Sequence, residues 1–319
     1  MDHRAFAYDE FDTPGSVREL PDPEPEAGQV RVRVAVAGTN PADLGAIKGF
    51  YKDMMEHHFP LIPGLDFAGT VDAVGEGAGE WKVGDEVFGG VGKRSWGQGT
   101  LAEYATALAE TIARRPQGVD TEFAAALPLA GVSALQCLDP MALKPGDAVV
   151  ILGAAGGIGG FAVQVAKAAG AHVIAVTRGA NHGYATSLGA DEVVDYTSQD
   201  VRNTVKAAHP DGVAGIVHNA GDKEYLARVA GLVHEGGHVA SMVGGADVEE
   251  LATRGVTSIN VRTMTTGPVL AGLADLVASG TLKRPEIKAY PLDQAGQAYA
   301  QLGTGHARGK LVVVPGEGS

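Results

Sequence analysis

The segment from 148 to 177 constrains this chain more than any other. AVVILG (148–153) is a short apolar run that reads as a buried strand, GFAVQVAKAAGA (160–171) follows at helical spacing, and HVIAVT (172–177) resumes as a strand. Between the first strand and the helix stands AAGGIGG (154–160), with glycines where a chain must turn sharply and let a pyrophosphate approach backbone amides at a helix N-terminus. The βαβ context predicts a dinucleotide cradle formed by Ala155, Gly156, Gly157, Ile158 and Gly159; a tight turn without a ligand is the competing reading. In strict register the pattern is Ala154-x-Gly156-x-x-Gly159, with alanine where the usual fingerprint has its first glycine.

The rest of the chain falls around this unit. EVVDY (192–196), GIVHNAG (215–221) and GGHVASMVG (236–244) recur at intervals suited to successive βα units, so an α/β fold with a doubly wound parallel sheet is expected. Upstream, residues 1 to about 122 read mostly as β structure: QVRVRVAVAG (29–38) alternates in period two, and 67–89 reads as short strands joined by glycine turns. EFAAALPLAGVSALQCL (122–138) suits a buried helix interrupted near Pro128. The tail holds a helical candidate at 270–280 and a closing strand, KLVVVP (310–315), whose packing partner spacing alone does not reveal.

Composition excludes several roles. A chain of 319 residues is long enough for two domains with separate cores. Its formal charge of -13 disfavours nucleic acid and other polyanions as partners. The start lacks the basic segment and apolar run of a secretory signal, and no uncharged apolar stretch reaches the roughly 18 residues of a membrane span, so a cytoplasmic protein is expected. Cys137 is the only cysteine, which rules out an intrachain disulfide and a thiolate-rich zinc site.

The end of the second strand discriminates between cofactors. In NAD enzymes an Asp or Glu there receives the adenosine ribose hydroxyls; this chain has Thr177 and Arg178. A carboxylate would repel a 2′-phosphate, whereas a guanidinium binds it through paired charge-assisted hydrogen bonds, so NADPH is expected over NADH. A solvated loop arginine is the alternative. Asn181 and Tyr196 could complete the phosphate pocket or serve ordinary turn and strand-end chemistry.

With these motifs in view, the chain resembles the medium-chain dehydrogenase/reductase superfamily, in its zinc-independent quinone oxidoreductase branch with zeta-crystallin-like proteins and enone reductases. The resemblance rests on AGTNPADLGAIKG (37–49), FPLIPGLDFAGTVDAVG (59–75), VGDEVFG (83–89), LPLAGVSALQCL (127–138), ILGAAGGIGGFAVQVAKAAGAHVIAVT (151–177), LGADEVVDY (188–196) and ARGKLVVV (307–314), in family order. It implies a GroES-like, barrel-like catalytic domain over 1–122, a Rossmann domain over 123–262, and a return segment, 263–319, completing the first. It also implies a cleft between the domains and a homodimer. Zinc-dependent relatives carry a cysteine at the position of Asn40 and a histidine within the segment matched by Pro63–Asp66, where this chain has Leu65. No metal is therefore expected in the active site. Without a Lewis acid, alcohol oxidation becomes unfavourable, and a quinone or α,β-unsaturated carbonyl is the expected substrate, because its conjugation carries charge onto an oxygen that hydrogen-bond donors can stabilise.

The same resemblance nominates site residues. Asn40 is expected to border the nicotinamide as a cofactor contact, line the site and orient the acceptor, and Asp43 either shares the site-lining role or caps the next helix. Tyr51 could donate to a developing enolate oxygen, or simply pack. Ser133 matches a small hydroxyl residue near the cofactor, against a serine bonded to its own helix. Asn219, Met242 and Gly244 close later strands at the edge where open α/β sheets bind ligands, and His218 stands where relatives have an acidic residue. His57 and His58 are read as loop histidines rather than ligands, and Cys137 as buried filler. No general acid is identifiable, solvent being the alternative, and the loops 45–60 and 90–100 carry no legible substrate code. The rival reading is a catalytically quiet NADPH-binding sensor or structural protein.

Overall fold

The computed structural model describes residues 1–92 and 95–316. They form two units, Met1–Leu129 with Thr265–Ala278 and the chain from Glu286 onward, and Ala130–Met264 with Ser279–Pro285.

The first unit opens with nine strands, β1 (Asp2–Ala7), β2 (Ser16–Pro21), β3 (Gln29–Gly38), β4 (Glu56–Ile62), β5 (Asp66–Val74), β6 (Glu86–Gly90), β7 (Ser95–Gln98), β8 (Tyr104–Leu108) and β9 (Ile112–Arg114), with helix α1 (Pro41–Ile47) between β3 and β4. The period-two pattern of β3 explains its place: Val30, Val32, Val34 and Val36 are buried while Arg33 and Ala35 face solvent. It pairs antiparallel with β5 and β8. Helix α2 (Thr121–Ala126), capped by the Asp120 carboxylate on Phe123 N, packs on β3 and β5. Pro128 then opens α3 (Pro128–Leu138), so the proline starts a new helix where its missing N–H is harmless.

The second unit is a parallel sheet of β10 (Ala148–Leu152), β11 (His172–Thr177), β12 (Glu192–Asp195), β13 (Val213–His218), β14 (Val233–Ser241) and β15 (Thr257–Asn260), in the order β12-β11-β10-β13-β14-β15. Its crossovers carry α4 (Gly157–Ala168), α5 (His182–Ser187), α6 (Val201–Ala208), α7 (Lys223–Val229) and α8 (Val248–Thr253). Asp200, Asp222 and Asp247 cap α6, α7 and α8, so part of the acidic excess serves helix starts. The strand order reverses between β10 and β13, where the carboxyl ends of doubly wound strands leave a ligand crevice. β15 had no counterpart among the expected strands; TSIN is short and polar at three of its four positions, and pairing with β14 supplies what its pattern lacks.

The tail contributes α9 (Gly267–Ala278), β16 (Ile287–Pro291), α10 (Ala295–Gly303) and β17 (Lys310–Val314). β17 runs antiparallel to β3, with Val312 opposite Gly38, and parallel to β16. The unit boundaries differ from 122 and 262 for identifiable reasons. α2 adheres to the first unit's strands. Thr263 and Met264 are held to α3 by hydrogen bonds with Ser133 and Gln136. Lys283 N donates to Gln164 Oε1 at 2.7 Å, tying 279–285 to α4. No helix among the described residues is long and apolar enough to cross a membrane.

Candidate active site

Strand β10 ends in a turn that brings the chain back over its own first residues. Gly153 takes φ +76°, the left-handed region, so the turn glycine stands one position before the alanine that strict register assigned to it. Gly153 and Ala154 N donate to Val176 O on β11, fixing the loop to the sheet. A Cβ on Gly159 would lie 2.2 Å from Gly153 O, so glycine is required for α4 to close on the loop. Gly156 differs: a Cβ there would meet only Gly153 O, at 3.4 Å, and this space is what an approaching pyrophosphate needs. Gly157, Ile158 and Gly159 form the first turn of α4, whose amides have no preceding helical carbonyl, and Ala155 is buried beneath them.

The carboxyl ends of β11 and β12 bring together four of the expected residues. Asn181 Nδ2 donates to Thr177 Oγ1 at 3.2 Å, and Arg178 Nε donates to Tyr196 Oη at 3.1 Å. The carboxylate that ends β12, Asp195, is engaged by Thr197 N, Thr197 Oγ1 and Ser198 Oγ; these bonds, that of the Thr197 hydroxyl foremost, hold it down at about 2.

Across the switch point, Asn219 follows β13, and both its side-chain Oδ1 and Nδ2 are buried without a partner among the described residues. Its backbone lies against Gly153, beside the cradle. An orphaned buried amide is unfavourable by about 1–3 kcal/mol, so it fits a site that a polar ligand completes. His218, fully buried, contacts Ser241 Oγ through Nδ1 at 3.0 Å, and burial pushes its imidazole below the usual range. Where relatives are expected to place an acid, this chain therefore holds a neutral ring near pH 7. Met242 N donates to His218 O, and Gly244 is exposed with φ +75°. Ser133 bonds to Thr263 Oγ1 at 2.6 Å rather than to its own helix.

In the first unit, Asn40 and Asp43 belong to a buried polar cluster. Asn40 is 1% exposed; its Oδ1 accepts from Lys310 Nζ at 2.7 Å and its Nδ2 donates to Asp66 Oδ2 at 2.9 Å. Lys310 Nζ also donates to Thr39 O at 2.8 Å. Asp66 accepts from Leu129 N in the first turn of α3, an anion at a helix N-terminus. Asp43 accepts from Asn40 N at 2.8 Å, which is the capping role, and from Tyr299 Oη. Burial pushes Asp43 up to about 7 and Asp66 up to about 6, against the opposing pull of Lys310, and burial pushes Lys310 down. Tyr51 is half-buried, stacked on Trp96 at 5.9 Å with rings 6° apart, and lies over Gly45.

The outcome for the remaining histidines and the cysteine is plain. His57 and His58 lie in strand β4 rather than in a loop: His57 Nδ1 contacts Met55 O and its ring meets Phe11 edge-on, while His58 is exposed beside Glu56. Cys137 is buried, which pushes its thiol up to about 12. Of the loop 90–100, residues 93 and 94 lie outside the described residues. Asp66, Lys310 and Tyr299 escaped sequence reasoning. The one available signal was a lysine opening the apolar strand KLVVV.

Comparison with known proteins decides the family. A domain described as "Alcohol dehydrogenase GroES-like domain" matches residues 26–117, and one described as "Zinc-binding dehydrogenase" matches 188–313. The chloroplast envelope quinone oxidoreductase homolog of Arabidopsis thaliana is 33% identical over 311 residues, covering 93% of each chain. The chain belongs to the medium-chain dehydrogenase/reductase superfamily, in its quinone oxidoreductase branch. The fold is shared with the quinone oxidoreductase from Coxiella burnetii, at TM-score 0.88 and 28% identity over 99% of this chain and 100% of that one. The NADPH-dependent alkenal/one oxidoreductase of Arabidopsis thaliana chloroplasts is 32% identical over 302 residues, 92% of this chain and 74% of its own. Membership makes the protein an oxidoreductase that uses a nicotinamide cofactor and a small-molecule substrate. In this member of the superfamily, the GroES-like domain carries the Asn40 cluster and the Rossmann-like parallel sheet carries the glycine cradle.

Proposed function

We propose that this protein is an NADPH-dependent, zinc-independent reductase of quinones or α,β-unsaturated carbonyls. The observation that carries the cofactor choice is the grouping of Thr177, Arg178, Asn181 and Tyr196 at the ends of β11 and β12, with a guanidinium where NAD enzymes place a carboxylate. Asp195 remains an anion, but its oxygens are taken up by Thr197 N, Thr197 Oγ1 and Ser198 Oγ rather than offered to a ribose. When bound, NADPH supplies a hydride equivalent; the protein supplies binding and orientation. Gly156 to Gly159 would hold the pyrophosphate, Arg178 and Tyr196 the 2′-phosphate, and Asn219, Ser133, Met242 and Gly244 the remainder of the dinucleotide.

Zinc independence is supported by the chemistry around Asn40. Its amide oxygen, the atom a metal would seek, already accepts from the Lys310 ammonium, whose charge repels a cation. Leu65 offers no ligand atom. For the substrate, the related alkenal/one and quinone oxidoreductases support a conjugated acceptor. Tyr51 is the proposed donor to its oxygen, and Asn40 and Asp43, locked in the buried cluster, hold the surrounding backbone. A cytoplasmic homodimer completes the proposal.

The deciding experiment follows NADPH consumption at its absorbance band, with NADH in parallel, across quinones, enones and enals. Turnover with NADPH preferred is the expected result. Tight NADPH binding with no turnover on any acceptor would shift the reading to a quiet NADPH-binding protein.

A further inference from the structure

The edge of the parallel sheet opposite the glycine cradle holds a second constellation. His172 opens β11 and Glu192 opens β12; Glu192 pairs with Ile174, two residues beyond His172, so both side chains leave the same face of the sheet. His209 closes α6 as its C-terminal cap and reaches the same place. His172 Nε2 and His209 Nε2 lie 2.7 and 2.9 Å from one oxygen, Glu192 Oε1, and all three donor atoms fall within 4.8 Å of one another. The imidazole rings are tilted by 52° rather than stacked, so their Nε2 positions converge.

We propose that His172, Glu192 and His209 bind a late first-row divalent cation of the Zn2+ type. Two imidazoles and one carboxylate are the donor set that such ions select over Mg2+ or Ca2+, which require oxygen ligands. Tetrahedral Zn2+ with bonds of about 2.0–2.1 Å places its ligand atoms about 3.3 Å apart. The two distances to Glu192 Oε1 need to open by only about 0.5 Å, the Nε2 atoms themselves lying within 4.8 Å of each other; as each imidazole proton passes from Nε2 to Nδ1 or to water, the two N–H bonds on Glu192 give way to bonds to the ion. The side chains are partly exposed, at 38, 35 and 18%, so an ion can enter and keep a water as its fourth ligand.

The neighbouring Asp191 is engaged elsewhere, by Lys167 Nζ at 2.6 Å and Val173 N at 2.8 Å, and adds negative charge beside the site. A bound ion would clamp the leading ends of β11 and β12 to the end of α6. It would stabilise the Rossmann-like unit without touching the nucleotide, which binds at the other end of the strands.

Zn2+ titration of the untagged full chain by isothermal calorimetry, with thermal unfolding in parallel, tests this assignment. One Zn2+ per chain is expected, with affinity reduced about tenfold or more in His172→Gln, Glu192→Gln and His209→Gln. A Zn2+-induced rise in the unfolding midpoint is expected in the parent protein and not in these variants. Absence of saturable binding overturns the proposal. So does binding that all three variants retain at the parent affinity, which would place the ion on other histidines such as His57 and His58.

Discussion

Replacing Lys310 by methionine removes the ammonium that lies among Asn40, Asp43 and Asp66 while keeping the length and apolar stem of the side chain. Two charge-assisted hydrogen bonds disappear, and Asn40 Oδ1 and Thr39 O lose the donor they share in a buried setting. Breaking one partner out of such a buried arrangement typically destabilises by about 3–5 kcal/mol. The pH dependence makes the test specific. Asp66 stands at about 6 because Lys310 restrains the upward push of burial; in the variant it rises further. A carboxyl whose folded value exceeds its unfolded value contributes stability that is complete below the unfolded value and is lost as pH rises through the folded one. In the parent protein these losses end near the values of about 6 for Asp66 and about 7 for Asp43. In Lys310→Met they continue to higher pH, at about 1.4 kcal/mol per unit of additional shift. At pH 5 both carboxyls are largely protonated in either protein, and the buried ammonium of the parent is itself poorly compensated, so the deficit narrows to about 1–2 kcal/mol of lost hydrogen bonding. Scanning calorimetry at pH 5 and pH 8 should therefore show a gap that widens with pH. An equal deficit at both values would refute the electrostatic account and reduce Lys310 to a packing residue.

The cradle yields further expectations. Gly159→Ala forces a Cβ onto Gly153 O and should destabilise the fold by about 1–3 kcal/mol, whereas Gly156→Ala, which meets nothing closer than 3.4 Å, should leave the unfolding midpoint nearly unchanged while weakening cofactor binding in a fluorescence titration. Asn219→Ala removes an orphaned buried amide, so the apo protein should be no less stable while NADPH binds more weakly; a loss of apo stability would mean that the amide is satisfied in solution. Arg178→Ala should weaken NADPH far more than NADH, because only NADPH presents a 2′-phosphate, and equal losses would remove Arg178 from that role. Exhaustive chelation should leave turnover intact even if it lowers the unfolding midpoint through the His172–Glu192–His209 site; activity lost and restored only by added metal would overturn the zinc-free mechanism.

Local pattern sufficed for much of this protein, and the reason is that the relevant forces act over short stretches of chain. Period-two alternation placed β3 at 29–38, apolar runs bounded by glycine placed β10 and β11, and Pro128 marked the break between α2 and α3. The cradle was legible because a turn that admits a phosphate needs glycine wherever a Cβ would collide, although the left-handed position fell to Gly153 rather than to the residue aligned with the fingerprint. What tertiary structure alone decided is the company of the polar residues. Asn40 meets Lys310 across 270 positions and Asp66 across 26; His172 and His209 meet on Glu192 across 20 and 17. Sheet pairing sets these encounters, with β17 laid on β3 and β12 laid on β11. The ionisation of a buried group follows from which charges the fold packs against it, so neither the raised carboxyls nor the convergent histidines leave a mark in the spacing of their own segments.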